Sequence, residues 1–433
     1  MTPALVVAAP ASGSGKTTLT LGLLRAFRSA GVAVGSAKIG PDYIDPRFHA
    51  AATGRPCLNL DGWAMRRDRV LTLATEAGEG ADLLVVEGVM GLFDRAAETG
   101  VEGRGGTAEV AGMLDAPVVM VVDTGGMAQS VGALVEGFRR RADGPEVAGV
   151  VLNRVASPRH EALLREGCAE AGVPVFGALP RRAELKTPSR HLGLVQAEEM
   201  SDLEGFLDRA AALVASHVDL GALRALARPL PHAVTHASRP PAPPLGSRIA
   251  VASDVAFRFA YPHLLQAWRA GGAELLPFSP LADEAPDADA DAVYLPGGYP
   301  ELHAGRLAAA ERFRTGMRDA VDRGAAVFGE CGGYMALGDG MVDADGVRHA
   351  MLGLLRLETS FAARKLHLGY RHATLVADSA LGAHGAAYRT HEFHYASVLA
   401  ETGDPLFRLP DGTRCGLAAG PVSGSFLHLI DGG

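Results

Sequence analysis

Two stretches of this 433-residue chain carry residue types whose spacing implies chemistry. The first is Pro10-Ala-Ser-Gly-Ser-Gly-Lys-Thr-Thr18, set between an apolar run and a helical pattern. Backbone amides of a glycine-rich turn, with the exposed N–H groups of a following helix, can point at phosphate oxygens that no bulky side chain obstructs. Ser12, Gly13, Ser14, Gly15 and Thr18 would form that cradle, Lys16 would bring a cation to the β/γ-phosphates, and Thr17 would offer its hydroxyl to Mg2+. The usual pattern opens on glycine, and Pro10 stands there instead. The second stretch is Val327-Phe-Gly-Glu-Cys-Gly-Gly-Tyr-Met335, in which Cys331 follows an apolar strand and precedes small residues. A strand-to-helix turn of this kind holds a nucleophile exposed in a strained pose, and the helix start favours thiolate.

Each centre needs partners. A magnesium ion beside a triphosphate takes oxygen ligands. Asp42 and Asp45 in Lys38-Ile-Gly-Pro-Asp-Tyr-Ile-Asp-Pro46, and Glu87 at the end of an apolar run, are the candidates beside Thr17, because ligands of open α/β sheets gather at carboxyl ends of strands. Asp123 ends another such run, and Asn153-Arg154 after a further one is placed to touch the nucleotide. For the thiol, the N–H of Gly332 and that of Gly297 or Gly298 in Leu295-Pro-Gly-Gly-Tyr299 are oxyanion donors. Two histidine clusters compete to move the proton: His391-Glu-Phe-His394, and His428 in Gly424-Ser-Phe-Leu-His-Leu-Ile430. The former is HExH, one residue short of the spacing that puts two histidines on one face of a zinc-binding helix, so it is not read as a metalloprotease motif.

Short apolar runs bounded by glycine or acidic residues must position the phosphate loop: Ala4–Ala9, Val32–Ile39, Leu83–Val86, Val118–Val122, Val147–Leu152 and Val175–Phe176 read as buried parallel strands. Helical patterns at Thr17–Ala30, Thr107–Leu114 and Pro158–Ala171 alternate with them, the mark of a doubly wound α/β sheet. Proline and small residues then concentrate over 228–247, read as a linker between a phosphate-loop domain (1–227) and a second α/β domain (248–433). The second opens with strands Arg248–Ser253, Ala292–Leu295 and Ala325–Phe328 around a helix Tyr261–Ala270. A formal charge of −8 with no basic stripe argues against a nucleic-acid partner. No apolar stretch reaches the roughly 18 residues of a membrane helix, and the N-terminus lacks the pattern of a signal peptide. Four scattered cysteines, Cys57, Cys168, Cys331 and Cys415, form no CxxC pair. A cytoplasmic location is the expectation.

These stretches together resemble the a,c-diamide synthases of corrin biosynthesis, over essentially the whole length. The resemblance rests on SGSGKTT, Gly40-Pro-Asp-Tyr-Ile-Asp-Pro-Arg-Phe-His49, Glu87-Gly-Val-Met-Gly-Leu-Phe-Asp94, Thr107-Ala-Glu109, Asn153-Arg154, LPGGYPE, GECGGYM, HEFHY and SFLHL. It implies a dethiobiotin-synthetase-like first domain and a second domain similar to class I glutamine amidotransferases. It further implies ATP- and glutamine-dependent amidation of the a and c acetates of cobyrinic or hydrogenobyrinic acid through acyl phosphates. In that family pattern Cys331 forms the thioester, His428 raises its reactivity, Lys16, Thr17, Asp45 and Glu87 handle Mg-ATP with Asp42 as participant, and the protein is a homodimer. Many class I amidotransferases carry a glutamate two residues after the histidine, where this chain has Ile430, so the partner of His428 is left open. For the acidic corrinoid, Lys38, Tyr43, Arg47, Arg154, Lys186 and Arg190 are the candidates. The alternatives are a cobyric acid synthase, a phosphate-loop ATPase switch, and a corrinoid carrier.

Overall fold

The computed structural model describes residues 1–141, 144–181, 189–190, 193–194, 196–232 and 242–432. The chain forms two compact units, Met1–Ser238 and Arg239–Gly433. Among the described residues no helix is long and apolar enough to cross a membrane.

Among the described residues, the first unit is built on seven parallel strands: β1 (Pro3–Ala8), β2 (Val34–Ile39), β3 (Cys57–Leu60), β4 (Leu83–Glu87), β5 (Val118–Asp123), β6 (Val147–Val155) and β7 (Val175–Pro180). They stand in the order β3-β2-β4-β1-β5-β6-β7. Strands covered on both faces must be apolar throughout, which is why the central runs are almost wholly buried. The strand order reverses at β1, so the crevice at its carboxyl end lies between the ends of β4 and β5, the usual ligand position in such sheets. Helix α1 (Lys16–Ser29) leaves from that end, and α2 (Asp45–Thr53) follows β2. The expected strands and helices are present with ends shifted by one to a few residues. The edge strand β3 was not expected: it has four residues, and its apolar run is broken by Asn59. Arg228–Pro229, the first two residues of the expected linker, pair antiparallel with β1; residues 233–241 lie outside the described residues.

Among its described residues, the second unit has a ten-stranded sheet. Five parallel strands come first: Glu274–Phe278, Arg248–Ala252, Ala292–Leu295, Ala326–Glu330 and Val422–Ser425. Antiparallel strands continue it: Arg414–Ala419, Asp404–Arg408, His367–Leu375, Ala387–His394 and Leu427–Gly432. A single residue, Phe426, separates the strand at the centre of this sheet from the strand at its end. The chain is thereby turned so that His428 pairs with His391.

Candidate active sites

In the first unit the phosphate loop lies at the carboxyl end of β1. Gly13 (φ 76°) and Gly15 (φ 98°) take the left-handed conformation that side-chain-bearing residues avoid. A Cβ on Gly15 would fall 2.2 Å from Asn153 Nδ2, so the close approach of β6 to the loop also requires glycine. Asn153 donates to the Ser14 carbonyl (2.9 Å) and Arg154 to the Gly13 carbonyl (3.1 Å), while Arg154 also pairs with Asp123. The structure therefore brings Gly13, Ser14, Gly15, Asp123, Asn153 and Arg154 together; Ser12 is exposed on the loop, and Thr18 lies in the first turn of α1. Lys16 is buried and donates to the Met90 carbonyl. Burial lowers its pKa against the pull of Glu87. The loop Gly88–Asp94 is tied down by Leu92 N–H to Ala9 O (2.8 Å) and by Thr107 Oγ1, which bonds both backbone groups of Val89.

Behind the loop, Thr17 Oγ1 donates to Glu87 Oε1 (2.7 Å) and lies 3.4 Å from Asp45 Oδ2. Lys38 Nζ bridges the same two carboxylates, at 2.7 Å from Asp45 and 2.9 Å from Glu87. Burial opposes the charge on Lys38, but Asp45, Glu87 and Asp42 raise its pKa well above the ordinary value. Burial likewise opposes the charge on Glu87, yet Lys38 and His49 keep its pKa far below the ordinary value. His49, which residue types alone did not mark, is fully buried with Nε2 2.7 Å from Glu87 Oε2. Burial disfavours its charge, but Cys57 and Glu87 raise its pKa to about 10. The signal was present in the sequence as the last residue of DYIDPRFH, four residues after Asp45 and so one turn along the same helix face.

Asp42 is placed differently from Asp45: its Oδ1 accepts from the N–H groups of Ile44 (2.7 Å) and Asp45 (3.0 Å), bracing the start of α2. Burial and the neighbouring Asp45 push it up to about 7. Tyr43 is buried and Arg47 half-buried on the same segment. Lys186 lies outside the described residues, and Arg190 falls in the two-residue strand Ser189–Arg190.

In the second unit Cys331 sits between Ala326–Glu330 and the helix Gly332–Leu337 with φ 46° and ψ −104°, a strained pose for a residue with a side chain. Glycines make the turn possible: a Cβ on Gly333 would fall 1.9 Å from the Leu295 carbonyl oxygen. A Cβ on Gly297 would fall 2.3 Å from His428 Cε1 and 3.2 Å from Cys331 Cβ, and one on Gly332 would lie 2.9 Å from the Gly298 nitrogen. Gly297, Gly298, Gly332, Cys331 and His428 thus converge, although the Cys331 side chain is buried and not exposed as the turn pattern suggests. Cys331 Sγ lies 3.6 Å from the Phe393 carbonyl oxygen.

His428 is fully buried. Burial opposes its charge, but Cys331 and then Glu330 raise its pKa to about 9. Its Nδ1 lies 3.7 Å from Glu330 Oε2, a carboxylate that sequence reasoning missed while looking two residues past the histidine. Ile430, which occupies that place, is wholly buried apolar core. Of the competing cluster, His391 shares a sheet face with His428; burial and the charge on His428 push it down to about 3. Glu392 and His394 alternate to the other face. There Glu392 pairs with Arg371 (2.8 Å) and His394 stacks between His367 and Phe426. The HExH stretch is a strand, which excludes the helical zinc geometry independently of spacing.

Residues 5–195 match the CobQ/CobB/MinD/ParA nucleotide binding domain, and residues 248–432 the CobB/CobQ-like glutamine amidotransferase domain. A hydrogenobyrinate a,c-diamide synthase from a Sinorhizobium species is 55% identical over 433 residues, covering 99% of this chain and 98% of that protein. The synthase of that name from Rhodobacter capsulatus is 55% identical over 437 residues (99% and 98% covered), and that from Brucella abortus 54% over 435 (98% of each). An α/β nucleotide-binding unit joined to a glutamine amidotransferase unit makes the chain a glutamine-dependent ligase. With more than half its residues identical from end to end to these proteins, the chain belongs to the hydrogenobyrinate a,c-diamide synthase family.

Proposed function

We propose that this protein amidates the a and c acetate side chains of hydrogenobyrinic acid, using ATP to activate each carboxylate and glutamine as the source of nitrogen. The observation that carries the reading is that both chemical centres are intact in a chain that aligns end to end with synthases of that name.

The first unit activates the carboxylate. A carboxylate oxygen attacks the γ-phosphorus of ATP, the bond to the β-phosphate oxygen breaks, and ADP leaves an acyl phosphate. Backbone amides of Gly13 to Lys16 hold the phosphates, and the Lys16 ammonium exchanges the Met90 carbonyl for phosphate oxygen. Thr17, Asp45 and Glu87 form an all-oxygen donor set that fits Mg2+. When bound, the ion would neutralise charge on the β- and γ-phosphates. Lys38 sits against both carboxylates, where its charge can also attract the negative group being transferred. His49 fixes Glu87 from its far side.

The second unit makes ammonia. The Cys331 thiolate attacks the glutamine amide carbon, and the resulting oxyanion is stabilised by the N–H groups of Gly332 and Gly298. The His428 imidazolium gives its proton to the departing ammonia; the imidazole then takes one from the water that hydrolyses the thioester. Ammonia attacks the acyl phosphate carbonyl and phosphate leaves. Two rounds consume two ATP and two glutamine.

The test is incubation with Mg-ATP, glutamine and hydrogenobyrinic acid, followed by high-resolution mass measurement of the corrinoid. Replacement of two hydroxyls by two amino groups supports the reading, and an unaltered corrinoid contradicts it.

A further inference from the structure

The proton-moving histidine of a nucleophile pair ordinarily needs a third group to fix its tautomer and ring orientation. In this chain the position two residues after His428 holds Ile430, buried and apolar. We propose that Glu330, the residue directly before the nucleophile, is the positioning carboxylate for His428, anchored by Tyr294 and by the Leu429 amide.

Three observations converge on this assignment. First, the carboxylate faces the correct nitrogen. Glu330 Oε2 is 3.7 Å from His428 Nδ1, while Nε2 and Cε1 are the ring atoms nearest Gly297, on the side of the sulfur. Second, the carboxylate is immobilised: the Tyr294 hydroxyl donates to Oε2 (2.7 Å) and the Leu429 N–H to Oε1 (3.0 Å). Tyr294 is itself fixed by an edge-on contact with Trp268 and a stack on Phe328. Third, Glu330 is 1% exposed, and a carboxylate in such a place is retained only where it is well paired. Glu330 and Leu429 are the immediate neighbours of Cys331 and His428, so one hydrogen bond ties the backbone carrying the histidine to the backbone carrying the thiol.

Among the described residues, the titratable groups that face the imidazole include Cys331 from the elbow, Glu330 from the strand end with Tyr294 behind it, and His391 from the antiparallel strand, with Arg371 and Glu392 acting on His391 in turn. Glu330 is the carboxylate that lies at Nδ1. Its removal should therefore weaken the imidazolium and loosen its aim while leaving Cys331 and the glycine amides in place.

The assignment rests on Cys331 and His428 forming the glutaminase, and the experiment separates the two. Glu330→Gln, Glu330→Asp and Cys331→Ala are each assayed for glutaminase kcat and KM from pH 6 to 10, and for amidation with ammonium chloride in place of glutamine. Near-UV circular dichroism checks folding. We expect Glu330→Gln to lower glutaminase kcat by roughly tenfold or more with KM little changed, to move the alkaline limb of kcat to lower pH, and to leave ammonia-dependent amidation intact; Glu330→Asp should restore part of kcat. Native kcat and an unmoved alkaline limb in folded Glu330→Gln would overturn the assignment. Should that variant not fold, Tyr294→Phe replaces it: reduced kcat at constant KM supports the assignment, and an unchanged kcat and limb overturn it. If Cys331→Ala still hydrolyses glutamine, the reading of the whole centre fails; if it does not while Glu330→Gln behaves as native, only the role of Glu330 fails.

Discussion

Gly15 and Asn153 approach so closely that a Cβ on the glycine would fall 2.2 Å from the asparagine Nδ2. The same asparagine holds the Ser14 carbonyl, so the turn of the phosphate loop and the end of β6 form one unit. Gly15→Ala therefore meets both an unfavourable φ of 98° and a side-chain clash. A left-handed residue with a side chain costs roughly 1–2 kcal/mol, enough to weaken nucleotide binding about tenfold or more through loop distortion. Titration with a fluorescent ATP analogue measures this. Gly112→Ala, on an exposed helix position with open space around it, should bind as the native protein does.

Lys38 joins Asp45 and Glu87 in the buried interior behind the loop. Lys38→Met would leave two carboxylates facing each other without their cation. Breaking a buried pair from one side costs about 3–5 kcal/mol. Hydrogen exchange in β1 and β4 should accelerate accordingly, and added Mg2+ should protect the variant more than the native protein. Unaltered exchange would mean that the cluster does not depend on the lysine.

Two histidines on one sheet face titrate in opposite senses. His391 is depressed to about 3, so below its ordinary value of 6.5 the unfolded chain binds a proton that the fold refuses. Its contribution is complete above pH 6.5 and is lost as pH falls towards 3. His428 is raised to about 9, so its contribution is complete below pH 6.5 and is lost as pH rises through 9. Urea unfolding of the second unit, followed by exchange in Leu427–Gly432, should show His391→Gln losing less stability than the native protein between pH 6.5 and 5. The limiting slope for one proton is about 1.4 kcal/mol per pH unit. An equal loss in both would contradict the placement of His391 against His428.

Most parallel strands of both units were legible in the sequence because continuous apolar runs ending in glycine or acid have few other readings, but Cys57–Leu60, Glu274–Phe278 and Val422–Ser425 were not. Lys16, Thr17, Asp45, Glu87 and Cys331 were legible for the same reason: each ends or follows such a run. The antiparallel half of the second sheet was not. His367–Leu375 and Ala387–His394 are half-polar strands whose alternation is broken by histidines and arginines; they pair with each other, and their outer neighbours, Asp404–Arg408 and Leu427–Gly432, lie further along the chain. Glu330 was hidden by its position, since a residue next to a nucleophile reads as turn chemistry until the fold places His428 across from it. His49 was hidden because a histidine on a short helix declares its partner only when β4 is set beside it.

The most direct test of the two-centre account is amidation by Cys331→Ala, assayed once with glutamine and once with ammonium chloride, with Mg-ATP and hydrogenobyrinic acid present in both. The account requires that glutamine-dependent diamide formation vanish while ammonia-dependent formation continues at near-native rate. Loss of both reactions in a folded variant, or survival of the glutamine-dependent one, would contradict it.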